Sequence, residues 1–378
     1  MDTVRTVIIG FGGHGSKYAK LLRDGQAEGM KLTGICCRNE KGQSVIHQEY
    51  PGVTIYQNVE ETFQHGEEFD AVVIVTPHNT HVPIGKMAFA AGKHVLCDKP
   101  MGISSGEGKE LLKAWKEAGT AFGMIFNERT KPAFQKAREL LETGALGQVS
   151  RAVWVCNTWY RTSYYHHSSP WRSSWAGEQG GLLVNQCQHY LDIWQWLFGM
   201  PDLADASIDF GKYNDFAVDD SVDIRFLYNS GFRGTFISSS GEAPGTNRLE
   251  IWGTKGRMTI EDTRWVLFDE NLMDTTEFNQ KNQEIFGELE HHQREIPLEE
   301  DPEPYKTVFQ NFADHLQKGT PLLAPGEEGI YALELANGSY LSAWENRKIS
   351  FPLDDFHYEA MLQKKIAEEL DRKTSKGL

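Results

Sequence analysis

Three groups of residues in this 378-residue chain have types and spacings that could do chemistry. His189 follows Asn185 by four positions, inside a stretch (181–197) that reads as a helix burying Leu182, Leu183 and Trp194, so the two side chains should share a helix face, which Asp192 continues. Histidine titrates near neutral pH and is suited to take or give a proton, and an asparagine beside it can orient a partner by hydrogen bonding. Lys99 stands just after a short apolar run (94–97) and just before Pro100. A partly buried lysine near another cation has a lowered pKa and could hold or shuttle a hydroxyl proton. The third group lies between Trp159 and Trp175 and includes Tyr160, Arg161, Tyr164, Tyr165, His166, His167, Trp171 and Arg172. Sugars offer C–H faces to aromatic rings and hydroxyls to Arg, Asn and Tyr, so Trp159, Arg161, Tyr165, Arg172 and Trp175 suit a carbohydrate-binding wall. The bland alternatives are a satisfied core histidine, a surface lysine before a turn and an aromatic packing loop.

A fourth motif says what these groups would work with. The run 4–9 reads as a buried strand and is followed by Gly10-Phe11-Gly12-Gly13-His14-Gly15, which opens a helix over 16–23. In that context G-x-G-x-x-G indicates a dinucleotide. Gly10 permits the tight turn, Gly12 lets the backbone approach a pyrophosphate, Gly15 lets helix and strand pack closely, and the helix start offers N–H groups. A carboxylate for the ribose 2′-hydroxyl is expected at the end of the next strand, but Cys37, Arg38 and Asn39 stand there instead. This favours a 2′-phosphate, and NADP(H) over NAD(H), with Cys37 and Arg38 at the adenosine end.

These residues need elements to hold them. Apolar runs at 31–37, 69–76, 94–97 and 121–126 alternate with helical patterns at 83–91 and 105–118. Alternation of this kind means a parallel, doubly wound sheet covered on both faces. Lys99 would then lie on the carboxyl edge of that sheet, where open α/β folds bind ligands. After a helix at 132–141, strands are expected at 149–157, 206–213, 222–228, 231–238, 247–252 and 257–261, with turn signals at 228–231 and 253–256 that make this part mainly antiparallel. Residues 273–304 read as surface loop, and 305–318, 328–345 and 356–373 as amphipathic helices.

Composition excludes several classes. The net charge of −15 argues against nucleic acid and anionic membranes. The excess is concentrated in 269–303, where Lys281 and Arg294 are the basic residues, and no chemistry attaches to that segment. Five cysteines without a CxxC suggest a reducing compartment, and with no signal sequence or apolar run of membrane length the expectation is cytoplasmic. Adjacent His166 and His167 would point to opposite sides, and neither HxxxH nor GxSxG occurs, so neither a metal nor a serine nucleophile is expected.

Four more segments make the picture specific: Thr76-Pro77-His78-Asn79-Thr80-His81, Cys97-Asp98-Lys99-Pro100, Gly180 through His189, and Leu249 through Gly256. In order and spacing, from the first strand to about Pro352, the chain resembles the Gfo/Idh/MocA family of oxidoreductases. The resemblance implies a Rossmann domain (1–126), an α+β substrate and oligomerisation domain (127–352) with a large, mainly antiparallel sheet, and a helical tail (353–378). It implies a dinucleotide, NAD(P), against Thr76, Pro77, His81 and Lys99, and a sugar, inositol or other polyol as substrate. It also implies homodimers or homotetramers formed through the open face of the second sheet. The family's Glu-Lys-Pro appears as Asp98-Lys99-Pro100, and its Asp-x-x-x-His pair falls on Asn185 and His189. Lys99, His189 and Asn185 are thus the expected catalytic residues. Two other readings are a glycoside-cleaving enzyme that oxidises its substrate transiently with a retained NAD(H), and a nucleotide-binding regulator without turnover.

Overall fold

The computed structural model describes residues 3–169, 171–300 and 302–376; Met1, Asp2, Pro170, Asp301, Gly377 and Leu378, which fall within the domain, aromatic and acidic segments above, lie outside them. The chain divides into two compact units, Met1–Thr130 with Pro302–Leu333, and Lys131–Asp301 with Glu334–Leu378.

In the first unit the strands are β1 (Val4–Ile9), β2 (Met30–Cys36), β3 (Thr54–Tyr56), β4 (Ala71–Ile74), β5 (His94–Cys97) and β6 (Phe122–Met124). All pair in parallel, in the order β3-β2-β1-β4-β5-β6. The four residues of β4 are all buried, as expected for strands covered on both faces. The chain winds from β1 to β3 in one direction and then returns to place β4 on the other side of β1. The carboxyl ends of β1 and β4 therefore flank the switch point where such sheets bind ligands. The helix Pro304–Lys318 also belongs to this unit, although it lies inside the 127–352 span read as the second domain. Its Val308, Phe309, Phe312 and Ala313 join a core containing Val4, Ile8, Tyr18 and Leu22.

The second unit is built on a nine-stranded sheet. It comprises β7 (Val149–Cys156), β8 (Leu203–Phe210), β9 (Asp219–Leu227), β10 (Arg233–Ser239), β11 (Asn247–Gly253), β12 (Gly256–Glu261), β13 (Trp265–Asn271), β14 (His291–Glu295) and β15 (Ile349–Ser350). The order is β14-β13-β12-β11-β7-β10-β9-β8-β15, antiparallel except for β7 with β10. On the inner face Trp154 is fully buried between Phe134, Tyr190 and Phe236. Its indole N–H donates to Asn247 Oδ1 at 2.9 Å, and Asn247 Nδ2 donates to the Tyr190 hydroxyl at 3.0 Å, so the buried polar atoms of this cluster are satisfied.

Two expectations need correction. Residues 273–304 are not simply loop. They contain the helix Thr275–Lys281, capped by Asp274, and β14, which pairs with β13 at the sheet edge. Every residue of β14 is exposed, so backbone pairing rather than an apolar alternation holds it, and hydropathy cannot reveal it. Its charged residues suit an edge that must not recruit further strands. The second correction concerns 181–197, where the helix begins only at Gln188 and ends at Phe198. Residues 182–187 form turns because the N–H groups of Gly181, Leu182 and Leu183 all donate to Asp219.

Among the described residues, no helix is long and apolar enough to cross a membrane. All five cysteines are free and buried.

Candidate active site

In the first unit the glycine loop leads from β1 into the helix Gly13–Arg23. Gly10 has φ +108°, and a Cβ there would lie 2.6 Å from the Val75 carbonyl oxygen. At Gly15 a Cβ would lie 2.1 Å from the Gly10 carbonyl oxygen, so helix and strand approach too closely for any side chain. Gly12 differs, because a Cβ there would meet nothing within 4 Å. What its absence keeps open is room at a helix N-terminus, the arrangement that admits a pyrophosphate. The residues present therefore fit a dinucleotide.

The turn after β5 is tied to this loop. Tyr18 donates from its hydroxyl to Asp98 Oδ2 (3.2 Å), and His14 Nδ1 lies 3.2 Å from the Tyr18 oxygen and 3.7 Å from Asp98. Burial, reinforced by Asp98, pushes the Tyr18 phenol well above its ordinary pKa and keeps it a neutral donor. Burial also lowers the pKa of His14, against the pull of Asp98. Asp98 Oδ1 accepts from the Lys99 backbone N–H at 2.9 Å, so the carboxylate fixes the turn that presents the half-buried Lys99.

His81 was expected to contact the dinucleotide, but it is 1% exposed. Its Nδ1 and Nε2 each lie 2.7 Å from a carbonyl oxygen, of Pro100 and of Thr76, so it straps the turn after β5 to the one after β4. Burial lowers its pKa. Thr76 Oγ1 accepts from Thr80 Oγ1 at 2.6 Å, and Pro77 precedes the short turn His78–Thr80. At the end of β2, Cys37 is buried, Arg38 is exposed and Asn39 caps the helix Glu40–Glu49. No carboxylate stands at the strand end.

In the second unit Asp219, at the start of β9, organises the turn before His189. Its Oδ1 accepts from the Gly181 N–H (2.7 Å) and the Tyr340 hydroxyl (2.6 Å), and its Oδ2 from the Leu183 N–H (2.7 Å). Burial raises its pKa to about 6 despite these donors. From Gly180 to Gln195 every residue is buried except Asn185 and His189, which are partly exposed. The two do not share a helix face, since Asn185 sits in the turn and His189 in the first turn of the helix. Asp192, placed on the same stripe from sequence, is fully buried and accepts from Gln195.

The aromatic segment assembles beside Asn185. The Arg161 guanidinium lies 5.8 Å from the Trp159 ring and 5.2 Å from the Tyr165 ring, and that of Arg172 4.4 Å from Tyr165 and 4.7 Å from Trp171. Rings and cations thus alternate. The Tyr165 hydroxyl receives Arg172 Nη1 (2.6 Å), Gln186 Nε2 (3.1 Å) and Asn185 Nδ2 (3.3 Å). Trp175 is not part of this group. It is 2% exposed, donates to the Ala217 carbonyl at 2.8 Å and packs on Phe210, Tyr340 and Trp344. Sequence reading also passed over Asp219, Gln186 and Glu178. The available signal for the first was the adjacent pair Asp219-Asp220 just ahead of the apolar run at 222–228. For the other two, only their closeness to Gly180-Gly181 and Asn185 hinted at a role.

Residues 4–126 match the oxidoreductase family with an NAD-binding Rossmann fold, and residues 134–259 match the GFO/IDH/MocA C-terminal domain. The chain is 25% identical over 366 residues to scyllo-inositol 2-dehydrogenase (NADP(+)) IolW of Bacillus subtilis, covering 92% of this chain and 96% of that one. It is 25% identical over 353 residues to inositol 2-dehydrogenase of Rhizobium meliloti, covering 92% and 99%. In three dimensions it resembles the WlbA dehydrogenase of Bordetella pertussis, solved with NADH and UDP-GlcNAcA, with a TM-score of 0.77 at 21% identity over 93% of this chain and 100% of that one.

Proposed function

Because the chain belongs to the Gfo/Idh/MocA family of oxidoreductases, we propose that it is an NAD(P)-dependent dehydrogenase or reductase acting on a sugar, an inositol or a related polyol or carbonyl. The bound dinucleotide supplies the hydride acceptor or donor. The chain's residues hold and orient the reactants and move the proton. The N–H groups opening the helix Gly13–Arg23 hold the pyrophosphate in the room left by Gly12. His189 takes the proton from the carbinol, or returns it to the carbonyl. Lys99 supplies positive charge to the oxygen and is the second group able to hold that proton. Asn185 orients a hydroxyl, while Trp159, Arg161, Tyr165 and Arg172 offer ring faces and donors to the sugar.

One observation carries this reading: the stretch from Gly180 to Gln195, buried everywhere else, presents only Asn185 and His189. The names of the two inositol dehydrogenases it resembles support a polyol as substrate. Exposed Arg38 at a strand end without a carboxylate supports NADP(H). For assembly we favour a homodimer or homotetramer through the outer face of the second sheet, where Val153, Val155, Ile237 and Trp252 are half-exposed. The test is a panel of inositols, aldoses and glycosides, each with NAD+ and NADP+, followed at the nicotinamide absorbance. Steady reduction by one or more polyols is expected. A flat response throughout would refute the proposal.

A further inference from the structure

Asparagine at 185 leaves that position without the negative charge that aspartate would bring. The structure puts a carboxylate beside it. Glu178 is 3% exposed, its Oε1 accepts from Asn185 Nδ2 at 2.5 Å, and its Oε2 accepts from the Ser173 N–H at 2.8 Å. Arg172 Nη1 lies 3.8 Å from Oε1 while also donating to the Tyr165 hydroxyl. Among the described residues, Tyr165 and His166 are further titratable groups that face this cluster, the latter with Nδ1 2.7 Å from Ser173 Oγ.

We propose that Glu178 is a positioning residue that supplies, from seven positions upstream, the carboxylate that residue 185 lacks. The inference rests on the polyol dehydrogenase reading. The chemistry of the contact dictates its direction. An ionised carboxylate only accepts, so it selects the amide face of Asn185 and turns the carbonyl oxygen the other way. Tyr165 accepts from the same Nδ2, which holds the amide from a second side. Asn185 is thereby committed to accepting a hydrogen bond from a substrate hydroxyl. The charge sits one residue back from that hydroxyl, next to Arg172.

Three variants test this: Glu178→Gln, Asn185→Asp and the double variant carrying both. In Asn185→Asp two carboxylates meet at hydrogen-bond distance and cannot both ionise. Its thermal midpoint, measured without substrate, should fall relative to wild type as pH rises from about 5 to about 8. The double variant, with one carboxylate at the exchanged position, should not show this fall. For turnover of myo-inositol, or of the panel member used fastest by wild type, Glu178→Gln should lower kcat/KM about tenfold or more, chiefly through KM, and the double variant should recover most of it. A pH-independent midpoint difference for Asn185→Asp would overturn the inference. So would a double variant no more active than Glu178→Gln, or a Glu178→Gln protein that fails to fold and is not repaired by Asn185→Asp. If wild type turns over no panel polyol, the functional reading falls, and the midpoint comparison still decides where the charge belongs.

Discussion

Replacing Asp219 by asparagine should separate stability from activity in a pH-dependent way. The carboxylate is fully buried and binds three donors, from Gly181, Leu183 and Tyr340, at 2.6–2.7 Å. An amide keeps one acceptor oxygen, for Gly181 and Tyr340, but turns an NH2 toward the Leu183 N–H. Two buried donors then face each other, which costs about 1–3 kcal/mol. Ionisation acts in the opposite direction. Burial raises the Asp219 pKa from an ordinary 3.8 to about 6, so the native protein holds this proton more tightly than the unfolded chain. The contribution of Asp219 is therefore fully present below pH 3.8 and is lost as pH rises through about 6. The span corresponds to about 3 kcal/mol, a loss that asparagine does not share. Urea unfolding followed by tryptophan fluorescence should show Asp219→Asn less stable than wild type by about 1–3 kcal/mol near pH 4, with the deficit closing by about pH 7. At pH 7.5 kcat should still be reduced, because the turn that carries Asn185 has lost a tether. Amide exchange in residues 181–187 should quicken. A deficit that grows as pH rises from 4 to 7 would mean that the three donors outweigh burial, and would refute the reasoning.

Other predictions follow from the same geometry. Lys99→Met and His189→Ala should each lower kcat by about 100-fold or more with the dinucleotide affinity of His189→Ala unchanged; wild-type turnover in either would remove that residue from proton handling. Arg38→Ala should shift the NADPH-to-NADH ratio of kcat/KM by about tenfold or more toward NADH, a charge-assisted contact to phosphate being lost; an unchanged ratio would defeat the NADP(H) preference. Trp175→Ala should cost about 3–5 kcal/mol in urea unfolding, as for any large buried aromatic; a raised polyol KM with unaltered stability would return Trp175 to the sugar-binding wall. Burial, with Arg172 adding, depresses the His166 pKa to about 4, so the unfolded chain takes up this proton first and stability present above pH 6.5 is lost as pH falls toward 4. His166→Asn should flatten that part of the stability profile, and an unaltered slope would count against it.

The parallel unit was legible because its signals are local. Each strand is a short apolar run, and Gly10 and Gly15 are dictated by contacts within a few residues of β1 or with the neighbouring β4 loop. The positions of Lys99 and Asp98 at the end of β5 follow from the same alternation. Other features were hidden because their causes are distant in the chain. The helix Pro304–Lys318 shows an amphipathic pattern, but the pattern does not name Tyr18 and Leu22 as its partners. The exposed edge strand β14 has no hydropathy signature.

The sequence by itself determined the fold class and the glycine loop, because residue type and short-range spacing are enough for these, and it is the source of the proposal that Lys99 and His189 move the proton. Tertiary structure alone decided how they are held. A carboxylate 36 residues beyond Leu183 unwinds the expected helix start before Gln188, since it offers the first N–H groups a better acceptor than the helix could. Packing against Tyr340 and Trp344 takes Trp175 out of the aromatic wall. The carboxylate of Glu178, in a turn with no periodic signal, is brought to Asn185 by the folding of the turns that carry them. Hydrogen-bond partners of buried polar groups depend on geometry that pattern and propensity do not encode, and it is there that this site is decided.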